Sequence, residues 1–242
     1  MGVADAATGE SLQLKKNVIL AYTDIAAAGS RALYGLKSET KDAELNIAEL
    51  KDPKPACECL EVGDGAKSIS VHPLQVFNCT QDDFSIIIIN TVLSPSNCHC
   101  IANKVIDLCV QSGVQQLTVL SVLRLDLAKK SQHPMYENCF FIKSETDHPC
   151  LPDDTHINDP LLSTLIQMIQ VERIPTRVLV IPGHAAHHGT ASGDDGSEQA
   201  VKTFQETINT LTGLEFNKDY SLAMVYKGLN EEDVDMASMI YM

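Results

Sequence analysis

Three groups in the sequence carry side chains that could hold a metal: Cys57-Glu58-Cys59, Cys98-His99-Cys100, and His184 with His187 and His188. A structural zinc site uses ligand pairs two to four residues apart followed by a second such pair. None of the three groups has that arrangement. Cys98 and Cys100 fall in a segment of helical pattern, which turns them to different faces, and the histidines stand among glycines in a stretch that reads as a solvated loop. The reading is core thiols and surface histidines, with no metal and no cofactor. Asp24 and Asp126 each follow a strand pattern, where an α/β enzyme keeps catalytic carboxylates, and Asn90 ends a third strand. The plainer reading makes Asp24 a helix cap and Asp126 a loop residue.

Motifs that would recruit a nucleotide or a nucleophile are missing. After the first strand the chain reads Tyr22-Thr23-Asp24-Ile25-Ala26-Ala27-Ala28-Gly29, with neither the spaced glycines of a dinucleotide turn nor the Gly-Lys-Ser/Thr end of a P-loop. The nearest approach to a nucleophile elbow, Gly189-Thr190-Ala191-Ser192-Gly193, lies in the glycine and histidine loop rather than between a strand and a helix. No catalytic residue is assigned.

Composition narrows the field further. The 242 residues include 18 Lys and Arg against 32 Asp and Glu, a net charge of −14 that disfavours a nucleic-acid partner. With 44% hydrophobic and 21% charged residues the chain can bury a sizeable core. Its longest apolar run, Phe84 to Leu93, falls short of the ~20 residues of a membrane span. The amino-terminal residues lack a charged stretch followed by an apolar one. No membrane partner and no secretion are expected, and the chain is placed in the cytoplasm, with the nucleus as a second compartment. The eight cysteines are accordingly read as reduced thiols.

The pattern of apolar residues sets out the elements that must position any site. Residues 1–16 are small and polar and read as a mobile leader, followed by one domain over 17–229 and a short helix with a tail over 230–242. Val18 to Ala21 is a buried strand, after which Asp24 caps a helix with Ile25, Ala28, Ala32 and Leu36 inward. Lys37 to Lys67 is loop-rich, with a short strand near Leu60. Ser68 to Phe77 partly alternates. Phe84 to Ile89 is apolar on both faces, as a central strand covered by helices must be. Ser94-Pro95 opens a helix with Cys98, Ile101, Ala102, Val105, Leu108 and Cys109 inward, ended at Gly113, and Leu117 to Leu123 is the next strand. Cys139 to Ile142 is a further strand. Asp159-Pro160 opens a helix stopped at Pro175, and Arg177 to Ile181 follows as a strand. Residues 183–196 form a glycine and histidine loop. Ser197 then caps a helix with Ala200, Val201, Phe204, Ile208 and Leu211 inward. A last short helix follows Asn230. The alternation predicts an α/β three-layer sandwich with a mostly parallel central sheet and helices on both faces.

The chain ends in Ile240-Tyr241-Met242: an apolar side chain, a tyrosine, and a terminal residue with its free carboxylate. Such an end can fill a cleft with its apolar side chain while the hydroxyl and carboxylate meet donors there. It resembles the hydrophobic-Tyr-any residue motif with which proteasome activators and assembly chaperones enter pockets between subunits of the proteasome alpha ring. Activators that are ATPases need a P-loop, which leaves the assembly chaperones. The run from Ile101 through Lys104-Val105-Ile106-Asp107-Leu108 and Ser112-Gly113 to Leu117-Thr118-Val119-Leu120 looks like their central helix and strand. Leu162 to Val180, interrupted at Ile174-Pro175, is similar to a segment of the proteasome assembly chaperone 1 family, of which the chain resembles a divergent member. It lacks the acidic leader of animal members, and its 183–196 loop is foreign to them.

The resemblance implies a non-catalytic chaperone that pairs with proteasome assembly chaperone 2 and sits on the alpha ring, its partners being the proteasome alpha subunits. In it Ile240, Tyr241 and Met242 are the protein-binding residues. Two other readings stand beside it. One is a small-molecule enzyme like the nucleoside phosphorylases and hydrolases, with its site near Asp24, Asn90 and Asp126; the other is the chaperone 2 subfamily, whose chain end fits less well.

Overall fold

The computed structural model describes residues 12–24, 27–45, 47, 50, 53–59, 71–125, 134–183 and 197–226. Nine strands and five helices follow one another along them. β1 (Asn17–Tyr22), α1 (Ala28–Tyr34), β2 (Thr40–Glu44), β3 (Cys57–Cys59), β4 (Leu74–Cys79) and β5 (Phe84–Ile89) come first. Then follow α2 (Pro95–Ser112), β6 (Gln116–Leu123), β7 (Tyr136–Phe140), α3 (Pro160–Glu172), β8 (Thr176–Pro182), α4 (Ser197–Thr212), α5 (Lys218–Ala223) and β9 (Met224–Tyr226). Seven strands form one sheet in the order β2-β4-β5-β1-β6-β8-β7, and β3 pairs with β9 in a separate two-stranded ribbon.

The α/β sandwich is therefore observed, with a correction to the sheet. β1 is parallel to both β5 and β6, and β6 is parallel to β8, but β2–β4, β4–β5 and β7–β8 are antiparallel. The sheet is mixed, with a parallel centre and antiparallel flanks. β2 and β7 carry little apolar signal; β4 and β5 are joined by a short turn, as antiparallel pairing allows, while β7 reaches its antiparallel neighbour β8 only through α3.

Each central strand buries both faces, and alternate residues go to different layers. Val18, Leu20, Ile87, Ile89, Leu117 and Val119 meet α2 and α3 through Ile101, Val105, Leu162, Leu165 and Ile169. Ile19, Ala21, Ile86, Ile88, Leu120 and Val122 meet α1 and α4 through Ala28, Ala32, Val201, Phe204 and Ile208. Two of the expected helix starts are in place. Ser94 Oγ accepts from the Asn97 amide and Asp159 Oδ1 accepts from the Leu162 amide at 2.7 Å, each ahead of a proline in the first turn. Gly113, at φ 66°, ends α2 as expected.

Asp24 is not the N-cap residue of α1. The helix starts at Ala28 behind Ala27, whose φ of 49° is left-handed and which has no side chain to cap it. Of the leader expected at 1–16, residues 1–11 lie outside the described residues. Leu14 is buried against the α2 layer and its amide donates to Ser112 Oγ at 3.0 Å. Residues 227–242 also lie outside, with the expected last helix.

The flanks are held by polar contacts. Arg177 of β8 is 2% exposed, and its Nε meets Glu137 Oε1 of β7 at 2.5 Å in an ion contact without hydrogen-bond angles. Its Nη2 donates to Glu145 Oε2 at 2.7 Å. Burial pushes the Glu137 carboxyl up, but the hydroxyls of Ser144 and Thr146 and the Arg177 charge outweigh it and hold it below its ordinary value. Outside β7, the Glu137 amide donates to the Pro149 carbonyl and the Leu151 amide to Asn138 Oδ1. At the other edge, Lys41, Asp42 and Glu44 of β2 are exposed.

Two variants test this packing, read by urea unfolding. A Cβ on Gly35 would sit 2.1 Å from Ser221 Oγ and 2.7 Å from the Asn217 carbonyl, so Gly35→Ala is expected to cost about 1–3 kcal/mol of stability. Arg177→Ala leaves Glu137 buried without its counter-charge, and a loss of about 3–5 kcal/mol is expected.

Candidate functional site

Ligands of open α/β sheets gather at the carboxyl ends of parallel strands, near the point where chain connections diverge. Here that is the end of β1 between β5 and β6. β1 runs into Thr23 and Asp24, both buried. Thr23 turns back on β5, its amide and Oγ1 donating to the Ile89 carbonyl at 2.9 and 3.2 Å. Asp24 reaches the opposite way, and its Oδ2 accepts from the Val122 amide of β6 at 2.5 Å. Among the described residues its buried Oδ1 has no partner of hydrogen-bond geometry. Burial pushes the Asp24 carboxyl well above the ordinary carboxylate range, against the pull of nearby amides and helped by the neighbouring Asp159.

Asp159, the cap of α3, is also buried and also raised by burial. The Tyr22 hydroxyl, on the same face as α3, lies 2.7 Å from Ser121 Oγ of β6 and favours the charged form of Asp159. Two acid side chains, one following β1 and one capping α3, thus feel one another near the end of β1.

Asn90 closes β5. Its Oδ1 accepts from the Cys57 amide at 2.8 Å, its Nδ2 donates to the Cys57 carbonyl at 3.1 Å, and its own carbonyl accepts from the Ala56 amide at 2.9 Å. This clamp fixes β3 over the sheet end. The Cys57 side chain is wholly buried, and burial pushes its thiol up to about 12, with Arg31 opposing and Asp24 reinforcing the shift. Arg31 of α1 donates from Nη1 to Ser197 Oγ at 2.8 Å, tying α1 to α4. What the cluster offers is neutral hydrogen bonding: a thiol kept protonated and a carboxyl biased to its acid form. The thiols of Cys79, Cys98 and Cys109 are likewise raised by burial, to about 11, 11 and 12, so they are poor nucleophiles.

The structure thus brings together Asp24 and Asn90, which sequence reasoning singled out, and adds Cys57, Arg31, Tyr22 and Asp159. Asp126 lies outside the described residues, as do His184, His187, His188, Ser192 and Ile240-Tyr241-Met242. Cys57 is buried and Cys59 half-buried on β3. On α2, Cys98 points inward, His99 is exposed and Cys100 is half-buried. None of the eight cysteines is in a disulfide. Among the described residues no group of three or more His, Cys, Asp or Glu is placed to hold a metal ion, and no helix is long and apolar enough to cross a membrane. The missed partners had little sequence signal. Tyr22 and Arg31 sit in runs explained by the core, and Asp159 was read as a cap alone.

No protein-family profile matches the sequence, and no curated protein matches it. Solved structures do. A protein of unknown function from Thermoplasma acidophilum superposes with a TM-score of 0.61 at 13% identity, covering 87% of this chain and 83% of that one. PbaA of Pyrococcus furiosus, an archaeal homolog of proteasome-assembly chaperone, gives 0.58 at 14% identity over 94% and 87%. The likeness is one of fold. PbaB of the same organism, an archaeal proteasome activator, gives 0.54 at 10% identity over 94% and 92%.

Asp24 supplies a test of the site's electrostatics. Because its folded-state value is raised, the folded chain keeps a proton over a range where the unfolded chain has lost it. Stability from this group is full below the ordinary carboxylate range and is lost as pH rises through the raised value. Asp24→Asn keeps an oxygen for the Val122 amide and does not titrate. It is expected to flatten that fall, by at most about 1.4 kcal/mol per pH unit, in urea midpoints taken from about pH 4 to about pH 9. An unchanged slope overturns the assignment.

Proposed function

We propose that this chain is a non-catalytic chaperone for assembly of the proteasome core particle, acting in the cytoplasm and nucleus. The observation that carries the reading is the fold shared with PbaA over 94% of the chain. The sequence Ile240-Tyr241-Met242 supports it independently, since a fold of this kind hosts many activities and a docking tail narrows them.

In this reading Tyr241 and the Met242 carboxylate anchor the chain in a pocket between alpha subunits and Ile240 fills its apolar part. One such tail contributes only a few kcal/mol, so the body and the tail of a paired chaperone 2 supply the rest through effective concentration. The body has apolar side chains for such a partner to cover. Val110 near the end of α2, Val171 near the end of α3 and Phe141 just after β7 are all exposed. They stand at the end of the sheet where β6 and β8 begin, since Phe140 pairs with Thr176.

The test is a pull-down from cytosol with the full chain and with a version lacking Ile240 to Met242. Alpha subunits and a second chaperone are expected with the full chain, and recovery of alpha subunits is expected to fall by more than about tenfold without the tail. A synthetic peptide ending in Ile240-Tyr241-Met242 is expected to bind far more weakly than the whole chain. If neither version recovers a proteasome subunit, the reading fails, and an enzyme using Asp24 and Asn90 becomes the one to test.

A further inference from the structure

Away from the end of β1, a cavity of about 330 Å³ opens where α1, α4 and α5 meet, at the lower end of the range of small-ligand pockets. Its walls are fixed by backbone: Leu36 bridges Phe216, the Lys37 amide donates to the Glu215 carbonyl at 3.0 Å, and the Asn217 amide donates to the Gly35 carbonyl at 2.6 Å. Its base includes Gln205, only 7% exposed. That side chain bonds through Nε2, which donates to the Ala32 carbonyl at 3.1 Å and to Ser221 Oγ at 2.7 Å. Among the described residues its Oε1 accepts from no donor, so the residue brings a spare acceptor to the cavity it lines.

Around that acceptor stand Lys37, Lys202 and Lys218, three cations in one concavity of a chain that carries −14. Lys37 pairs with Glu215 at 3.5 Å and Lys202 with Glu198, while Lys218 has no ion pair among the described residues. Glu206 and Glu215 also line the wall. The mixture decides the ligand class. A phosphate dianion would set two negative charges beside Glu206 and Glu215 and brings no row of N–H groups for Gln205 Oε1 and the wall acceptors. A peptide segment with an acidic side chain brings a single negative charge for the lysines and backbone N–H groups for the acceptors.

We propose that this cavity receives a short acidic segment of a partner polypeptide, its carboxylate among Lys37, Lys202 and Lys218 and its backbone N–H groups on Gln205 Oε1 and Glu206. Phe216 supplies the apolar side of the seat. The site is distinct from the carboxyl-terminal docking motif and does not depend on the function proposed above.

The test is a titration of the full chain with a hexapeptide of glycines holding one central glutamate, blocked at both ends, followed by proton–nitrogen correlation spectra. Saturable shifts of the Gln205 side-chain amide are expected. The glutamine-for-glutamate peptide should leave that amide unmoved. Lys202→Ala with Lys218→Ala is expected to weaken binding about tenfold. Lys104→Ala, on exposed α2, and deletion of Ile240 to Met242 should both leave it unchanged. No saturable shift, equal shifts by the glutamine peptide, or displacement by inorganic phosphate as effective as by peptide overturns the proposal. A tail deletion that abolishes recovery of alpha subunits while this binding persists separates the two sites.

Discussion

β1 is enclosed on both edges and both faces, and most of the structure follows from that enclosure. A strand with parallel neighbours on either side must have its partners delivered by crossovers, because parallel strands cannot be joined by a tight turn. α2, which joins β5 to β6, therefore has to pass over β1, and α1 has to cover the opposite face. Both layers exist because Val18 and Leu20 need one and Ile19 and Ala21 need the other. The same enclosure buries whatever polar group follows β1. Asp24 emerges inside the protein rather than at its surface and takes its hydrogen bond from the next strand's backbone.

Seven elements are legible in the sequence because burial on two faces writes long apolar runs and helices write a period of 3.6. β1, β5, β6, β8, α2, α3 and α4 are of this kind, and the caps at Ser94 and Asp159 are local enough to read directly. What was not legible depends on residues far apart. Asp24 looks like a cap in one dimension; only the position of β6, about a hundred residues on, reveals the Val122 amide as its partner. β2 reads Thr40-Lys41-Asp42-Ala43-Glu44, which has no strand pattern because an edge strand with a solvated side needs none. Missing it, and placing β7 a few residues late, made the sheet look mostly parallel. Arg177 carried the one available hint, a charge inside an apolar strand, but its partner Glu137 lies on a strand forty residues earlier.

The low identity to PbaA and PbaB is what this architecture tolerates. A core specified by alternation and volume accepts many apolar sequences, provided that the pattern and packing density survive. The polar contacts are less exchangeable, because each ties two specific positions: Asn90 to both ends of the Cys57 peptide, Arg31 to Ser197, Gln205 to Ala32 and Ser221. These contacts join elements that the hydrophobic pattern leaves free to slide. They set how α1, α4, β3 and α5 are arranged around the sheet, and with them the cavity that Lys37, Lys202 and Lys218 line.

The two edges of the sheet have a consequence for how copies of the chain can associate. A strand arriving beside β2 would lie along Lys41, Asp42 and Glu44, and one arriving beside β7 would have to displace the Pro149 carbonyl from the Glu137 amide. Templated polymerisation through strand addition, the commonest route from an open sheet to a fibril, is obstructed at both ends. Many copies can therefore crowd together without recruiting one another into filaments, and growth of any assembly is left to helix faces, loops and chain ends, whose contacts are finite and reversible.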